Sequence, residues 1–463
     1  MVEITSILQT LEGSEVTHIF THHVTALIHR YALEEFLPGC DHYDQRALIL
    51  ARADDIVCVA GTVDRRYVHY LSGLGLGPRG DHIIELGIES GDGSGRTLAD
   101  MLLERETPLR VIRQLIPANT RVVLNPYLLS SVELDLATVL ANMLGKPVRV
   151  LGGNAEIITH GNLNHLAQAK AEELAIPTAP GEIVDLHSHS DSGHLDVSLL
   201  LKAIARFIPY TGRVIVRGTC GAAGSGTFIA EGPCQDIKMK LKVFVEKQVH
   251  HIYLVQVMFD IIATPNVLMS VEPYTDAIWW VGATDQRVNK NLAHKGNVFP
   301  SNARTISDMI CSARKLSRWL QMEGFTGLVG FDFVEYVHPE TSEHTYLFAE
   351  MNVRVNAATY PIFLMEHLNV RQAGRSAPFV KAFLSAKTTT KATSFSEFLE
   401  LYRCLFFDPY TGRGMIPYNT GQLVNGMCDL VFVGGSRQDV EAMYQRFLET
   451  HAQLEIPLHY RET

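Results

Sequence analysis

The sequence predicts an α/β protein whose first part is a doubly wound parallel sheet, followed by an α+β region. Three observations carry this. Short apolar runs alternate with helix-like stretches up to about residue 155. A glycine-rich turn interrupts an apolar run near residue 218. A pair of alternating strands near residues 330 and 350 carries charged side chains. Strands alternating with helices imply parallel pairing, whereas strand–turn–strand runs imply antiparallel pairing.

In the first part, Asp55–Ala60, His82–Gly87, Arg121–Asn125 and Pro147–Gly152 read as buried strands. Thr97 to Leu115 has helical spacing, and Ser130-Ser131-Val132-Glu133 starts a further helix with a capping pattern. The loop Ser72-Gly73-Leu74-Gly75-Leu76-Gly77-Pro78 lacks the last glycine of a dinucleotide fingerprint and meets a proline where a helix should start, so it reads as a turn. Gly161 to Leu174 is expected to be a helix. The second region holds expected strands at Arg213–Arg217, Lys242–Val245 and Ile252–Phe259, and an amphipathic helix over Thr305–Glu323. The last hundred or so residues add a helix at Ser394–Leu405, a turn-rich stretch at Asp408–Gly421, a strand at Asp429–Val433 and a final helix at Ser436–Glu449.

The chain has 463 residues, 46% apolar and 19% charged, with a formal net charge of −10. Length and composition describe a multidomain globular protein. The negative balance argues against nucleic acid as the main partner, since a polyanion calls for a basic surface. Seven dispersed cysteines with no C-x-x-C pair fit reduced thiols in a cytoplasmic setting. Neither a signal peptide nor a membrane span is expected, because no basic segment precedes an apolar run at Met1-Val2-Glu3-Ile4 and no apolar run nears 18 residues.

Gly330-Phe331-Asp332-Phe333-Val334 and Phe348-Ala349-Glu350-Met351-Asn352-Val353-Arg354 flank a polar turn, which makes them an antiparallel pair. Glu350, Asn352 and Arg354 are spaced by two, so they share one face. Two carboxylates, an amide and a guanidinium make a poor core but suit a hard cation shared with phosphate. Val214-Ile215-Val216-Arg217 runs into Gly218-Thr219-Cys220-Gly221-Ala222-Ala223-Gly224-Ser225-Gly226, with four glycines in nine residues. Such a loop lets backbone N–H groups approach phosphate oxygens beside Arg217. Val243-Phe244-Val245-Glu246-Lys247-Gln248-Val249 reads as a strand that turns polar, and so as a hinge against a base edge or a solvated loop.

In this order, glycine-rich hairpin, acidic hinge and acid/acid-x-Asn-x-Arg strand pair, the chain resembles the ATP-grasp superfamily over residues 150 to 365. The resemblance implies a pre-ATP-grasp parallel-sheet domain at 1–155, a two-lobed ATP-grasp fold at 156–365 and a C-terminal α+β extension at 366–463. It implies ATP and two Mg2+ ions, with Mn2+ as a substitute. Asp332, Glu350 and Asn352 match the metal ligands, and Arg354 matches the arginine facing the γ-phosphate and acyl-phosphate. Gly218, Gly221, Gly224, Ser225 and Gly226 match the phosphate flap, with Arg217 where the family usually has lysine. Glu246, Lys247 and Val249 match the adenine hinge. The family's further lysine is absent near Leu163-Asn164-His165, so that phosphate contact is either missing or supplied by His165 or another residue. Gly412–Asn419 is similar to the pheganomycin-type peptide ligases. The implied activity is coupling of a carboxylate to an amine, from small molecules or peptides, through an acyl-phosphate. A kinase acting on a hydroxyl and a non-catalytic ATP-binding protein are the alternatives, and a homodimer remains open.

Other polar clusters read as structural. Cys220 is expected to be a small loop residue without a catalytic partner. The tract Asp185 to His194, His22-His23 and His250-His251 read as polar connections, and Trp279-Trp280 as core or interface. Arg413, set between glycines, is the loop arginine best placed to hold a substrate carboxylate, ahead of Arg371 and Arg375.

Overall fold

Three sheets organise the described residues. A computed structural model describes residues 16–24, 40–87, 96–186, 196–219, 226–232, 234–248, 251–275, 277–289, 292–372 and 378–454. The first sheet is parallel throughout, with β1 (Val16–Thr21), β2 (Ile56–Val59), β3 (Ile83–Glu85), β4 (Arg121–Pro126) and β5 (Val148–Val150) in the order β3-β2-β1-β4-β5. Order reverses at β1, giving the doubly wound arrangement the sequence predicts. The Ser130 capping box forms, with the Glu133 carboxylate accepting from the Ser130 backbone N–H. The expected helix over Thr97–Leu115 is two helices, Leu98–Leu103 and Glu106–Leu115. Gly161–Leu174 is likewise split at Leu163, between helices Ala155–Asn162 and Asn164–Glu173.

The second sheet is antiparallel, with β6 (Gly181–Asp185), β7 (Arg213–Gly218), β8 (Thr227–Glu231) and β9 (Ile252–Val257) in the order β6-β9-β7-β8. Here the expected strand at Lys242–Val245 is corrected. Cys234–Glu246 is a helix, because Ile237, Leu241 and Val245 recur every fourth residue and all three are buried, while Met239 and Val243 face solvent.

The third sheet has nine strands: β10 (Ile261–Ala263), β11 (Pro265–Val271), β12 (Ile278–Val288), β13 (His294–Phe299), β14 (Gly327–Val337), β15 (His344–Asn352), β16 (Ala382–Thr389), β17 (Gly414–Pro417) and β18 (Met427–Gly434). Its order is β10-β14-β11-β12-β13-β16-β18-β17, and β15 also lies on β14. The C-terminal strands therefore extend the large sheet through β13–β16 pairing. The turn-rich stretch expected at Asp408–Gly421 contains β17, an edge strand only four residues long. Helix Ile306–Met322 buries Met309, Ala313, Leu316 and Leu320, the stripe read from the sequence. Among the described residues no helix is long and apolar enough to cross a membrane.

One core cluster joins Phe20 and Leu48 of the first part to Val267, Phe331 and Val431 of the large sheet. Polar ties cross the same boundary. The Arg46 guanidinium donates to Asp429 Oδ2 from Nε and Nη2 at 3.0 and 2.7 Å, and Tyr67 Oη donates to the Pro417 carbonyl at 2.9 Å. Asp429 is kept below the usual carboxylate range because Arg46 and Lys387 outweigh its burial. Replacing Arg46 by leucine strands a buried carboxylate, so urea denaturation should show a loss of about 3–5 kcal/mol. An unchanged midpoint and slope would count against this tie.

Candidate functional site

The antiparallel pair read from the sequence is β14–β15, and its register places Asp332 directly opposite Glu350 and Gly330 opposite Asn352. The register slips by one just past Asp332, a local bulge. Asp332 and Glu350 are largely buried, while Asn352 and Arg354 are 6% and 9% exposed. Asn352 Nδ2 donates to Asp332 Oδ2 at 3.0 Å. Arg354 Nη1 donates to Asn352 Oδ1 and, at 3.0 Å, to Asn162 Oδ1. Asp332, Glu350, Asn352 and Arg354 thus share one site.

Arg217 joins them from the other sheet. At the end of β7 its Nη1 donates to the Ala349 carbonyl at 2.8 Å and its Nη2 to Gln256 Oε1 at 2.7 Å. Burial lowers the arginine pKa, and Glu350 and Asp332 push it back up, so the three charges feel one another. The glycine hairpin is closed at its root, where Gly218 N donates to the Gly226 carbonyl at 2.7 Å and Gly226 sits at φ +75°. Gly221, Gly224, Ser225 and Cys220 lie outside the described residues. So do Val249, His250, Arg375 and the tract 187–195.

Helix Asn164–Glu173 pins that root. Asn164 N donates to the Thr219 carbonyl at 2.8 Å and Asn164 Nδ2 to the Gly218 carbonyl at 3.0 Å. His165 Nδ1 is hydrogen-bonded to Thr219 Oγ1. His165 therefore stands beside the strand that leads into the hairpin.

The hinge expected at Glu246–Val249 is not where the lobes join. Glu246 ends a helix, with a side chain 56% exposed that faces Lys242 at 3.7 Å. The Lys247 and Gln248 N–H groups already donate to Phe244 and Val245 carbonyls at 3.3 and 3.0 Å. The chain instead crosses from the second sheet to the third after β9, at residues 258–260. Arg413 is also placed differently from expectation, paired at the surface with Asp439 at 3.0 Å. Arg371 Nε donates to the Gly75 carbonyl at 3.1 Å.

Four amides were missed. Asn266 Nδ2 donates to Asp332 Oδ1 at 2.6 Å, Asn356 Nδ2 to Asn266 Oδ1 at 3.4 Å, and Asn162 and Gln256 hold the two arginines. Each of Asn266 and Gln256 is a lone amide in an apolar strand, a signal the sequence does carry.

Burial and the neighbouring Glu350 push Asp332 up to about 7, against the lowering by Asn266, Asn352 and Arg354. Burial also raises Glu350, opposed by Arg354 and Arg217. Two crowded carboxylates with an amide fit a hard divalent cation, whose charge would relieve both the burial and the repulsion. Among the described residues no group of three or more His, Cys, Asp or Glu could hold a metal ion, so the candidate set is these two carboxylates completed by an amide. Because the folded pKa of Asp332 is raised, its contribution to stability is present below about pH 4 and falls as pH rises from about 4 to 7. In chelator-treated protein, Asp332→Asn should remove that part of the pH dependence of the melting temperature. Identical pH profiles for variant and parent would contradict the burial argument.

The sequence matches no family model and no curated protein. Solved structures do match. Biotin carboxylase from Campylobacter jejuni in complex with β,γ-ATP has a TM-score of 0.55 at 11% identity, covering 94% of this chain and 91% of that one. N5-carboxyaminoimidazole synthetase from Staphylococcus aureus with ADP gives 0.52 at 10% identity over 94% and 97%. An ADP complex of N5-carboxyaminoimidazole ribonucleotide synthetase gives 0.50 at 12% identity over 95% and 97%. These are ATP-grasp enzymes, and the likeness establishes that this chain has their fold, an N-terminal parallel-sheet domain followed by the ATP-grasp lobes.

Proposed function

We propose that the chain is an ATP-dependent ligase that activates a carboxylic acid as its acyl-phosphate and couples it to an amine. The observation that carries this is the convergence of Arg217 from one sheet with Asp332, Glu350, Asn352 and Arg354 from another. The neighbours of similar fold are described as bound to ADP or an ATP form.

In this reading Asp332, Glu350 and Asn352 would hold two Mg2+ ions. Mn2+ is an alternative. When bound, the metal offsets charge on the phosphates. Arg217 and Arg354 would offset the charge of the γ-phosphoryl group, and the flap role expected of Gly218, Gly221, Gly224, Ser225 and Gly226 is kept as part of this reading. The crossing at residues 258–260 takes the adenine-hinge role expected of Glu246, Lys247 and Val249. His165 steadies the hairpin root through Thr219. A carboxylate oxygen of the acid attacks the γ-phosphorus, the bond to the β-phosphate oxygen breaks, and ADP leaves. The amine nitrogen then attacks the acyl carbon, phosphate leaves, and the amine's proton passes to solvent. The arginines bind and orient the charges of both steps, and no covalent nucleophile of the protein is needed. The narrower reading, with an amino acid or peptide as the amine, is supported by the resemblance at Gly412–Asn419, which spans β17.

A panel of acids paired with amino acids or peptides, read by ADP release and product mass, tests the proposal. Turnover should need ATP, an acid and an amine together. Glu350→Gln removes a metal ligand while keeping the shape, and should cut turnover at least about a hundredfold. A phosphorylated alcohol as end product would make the chain a kinase instead, and normal turnover by the variant would remove the site.

A further inference from the structure

Two adjoining cavities lie between the first sheet and the large one. The first, about 30 Å3, touches Arg354, Asn125, Tyr127, Ile158, Phe325 and Leu328. The second, about 50 Å3, touches His18, Phe20, Asn125, Ser270, Leu328 and Phe363. Asn125, Leu151, Gly327 and Leu328 line both, so the two are neighbours separated by no more than these side chains, and together are taken as one tract. Its near end is the cation of the candidate site. Arg354 Nε is buried there with no hydrogen-bond partner. Its walls are mostly apolar. His18, on the central strand β1, lines the second cavity.

His18 is unusual for a core residue. It is 3% exposed, yet neither ring nitrogen has a hydrogen-bond partner. Burial lowers its pKa to about 4, only partly opposed by Asp55, so the ring is neutral at physiological pH. A neutral imidazole offers one donor and one acceptor. Leaving both unmet inside an apolar wall costs free energy, which a ligand with a polar tip would recover.

We propose that this tract is the pocket for the acid that is activated, and that it takes a small, mostly apolar carboxylic acid with a hydroxyl or similar polar group at its far end. The carboxylate lies against Arg354, the aliphatic body runs past Asn125 and Leu328, and the far end is read by His18. At roughly 10–15 Å3 for each water-sized group, the two cavities hold a chain of about six such groups. This rests on the ligase reading and names its acid.

The test compares 5-hydroxypentanoate with hexanoate, which match in size and differ by a hydroxyl in place of a methyl. Hydroxylamine serves as the amine, and the hydroxamate is measured. Binding of both acids to the full chain is measured separately by calorimetry without nucleotide. The wild type should use 5-hydroxypentanoate about tenfold better than hexanoate, the worth of one buried hydrogen bond. His18→Leu should abolish or reverse that preference while leaving the KM for ATP within about twofold. Ser270→Leu, which narrows the second cavity, should raise the KM for both acids about tenfold. Equal use of the two acids by the wild type overturns the role of His18, and this needs no variant to fold. Turnover restricted to dipeptides or larger acids overturns the pocket, as do unaltered acid kinetics in both variants. If no acid gives hydroxamate, calorimetry separates the two ideas. Binding by the wild type that is lost in Ser270→Leu upholds the pocket without the ligase, and no binding removes the pocket too.

Discussion

Two carboxylates facing each other across adjacent strands, in positions mostly shielded from water, repel one another and resist ionisation. Asp332 and Glu350 are in this position, and burial raises both. A fold can tolerate such a pair only by surrounding it with compensating charge or by leaving room for a cation. This chain does the first. Two guanidiniums come in from separate elements, and neutral amides hold Asp332 through Asn266 and Asn352. Amides orient a carboxylate without cancelling its charge, so the pair keeps its attraction for a divalent ion.

The rest of the architecture follows from bringing those pieces together. β7 delivers Arg217 to the Ala349 carbonyl across the gap between lobes, and Gln256 on β9 fixes its other nitrogen. The first domain packs directly on the large sheet. Its central strand β1 packs on the large sheet through a shared core, and Arg46 and Tyr67 tie it to β18 and β17. The site thus sits where three sheets meet, and small shifts of one lobe would change the spacing between Arg217 and the carboxylates.

Much of this was legible in sequence wherever side chains followed a clear period. The alternation around Glu350, Asn352 and Arg354 gave the face correctly, and the Ser130 capping box and the stripe of helix Ile306–Met322 formed as read. Failures came where periodicity misled or tertiary burial overrode it. Val243-Phe244-Val245 is apolar with two β-branched valines, which suggests a strand, but the burial of Ile237, Leu241 and Val245 makes it a helix, and the lobe junction falls at residues 258–260 instead. β1 went unseen because both its faces are buried, so Thr17, His18 and Thr21 are interior and no alternation shows. Asn162 and Asn266 depend on contacts made across 192 and 66 positions, which one sequence cannot display.

The central claim is that the buried carboxylates and arginines serve transfer of the γ-phosphoryl group to a carboxylate oxygen. Labelling an acid substrate with 18O in its carboxylate and following the label in the products tests this most directly. Direct phosphorylation of the acid predicts one labelled oxygen in the released phosphate and the other retained in the amide. Label found wholly in the organic product, or in AMP, would contradict it.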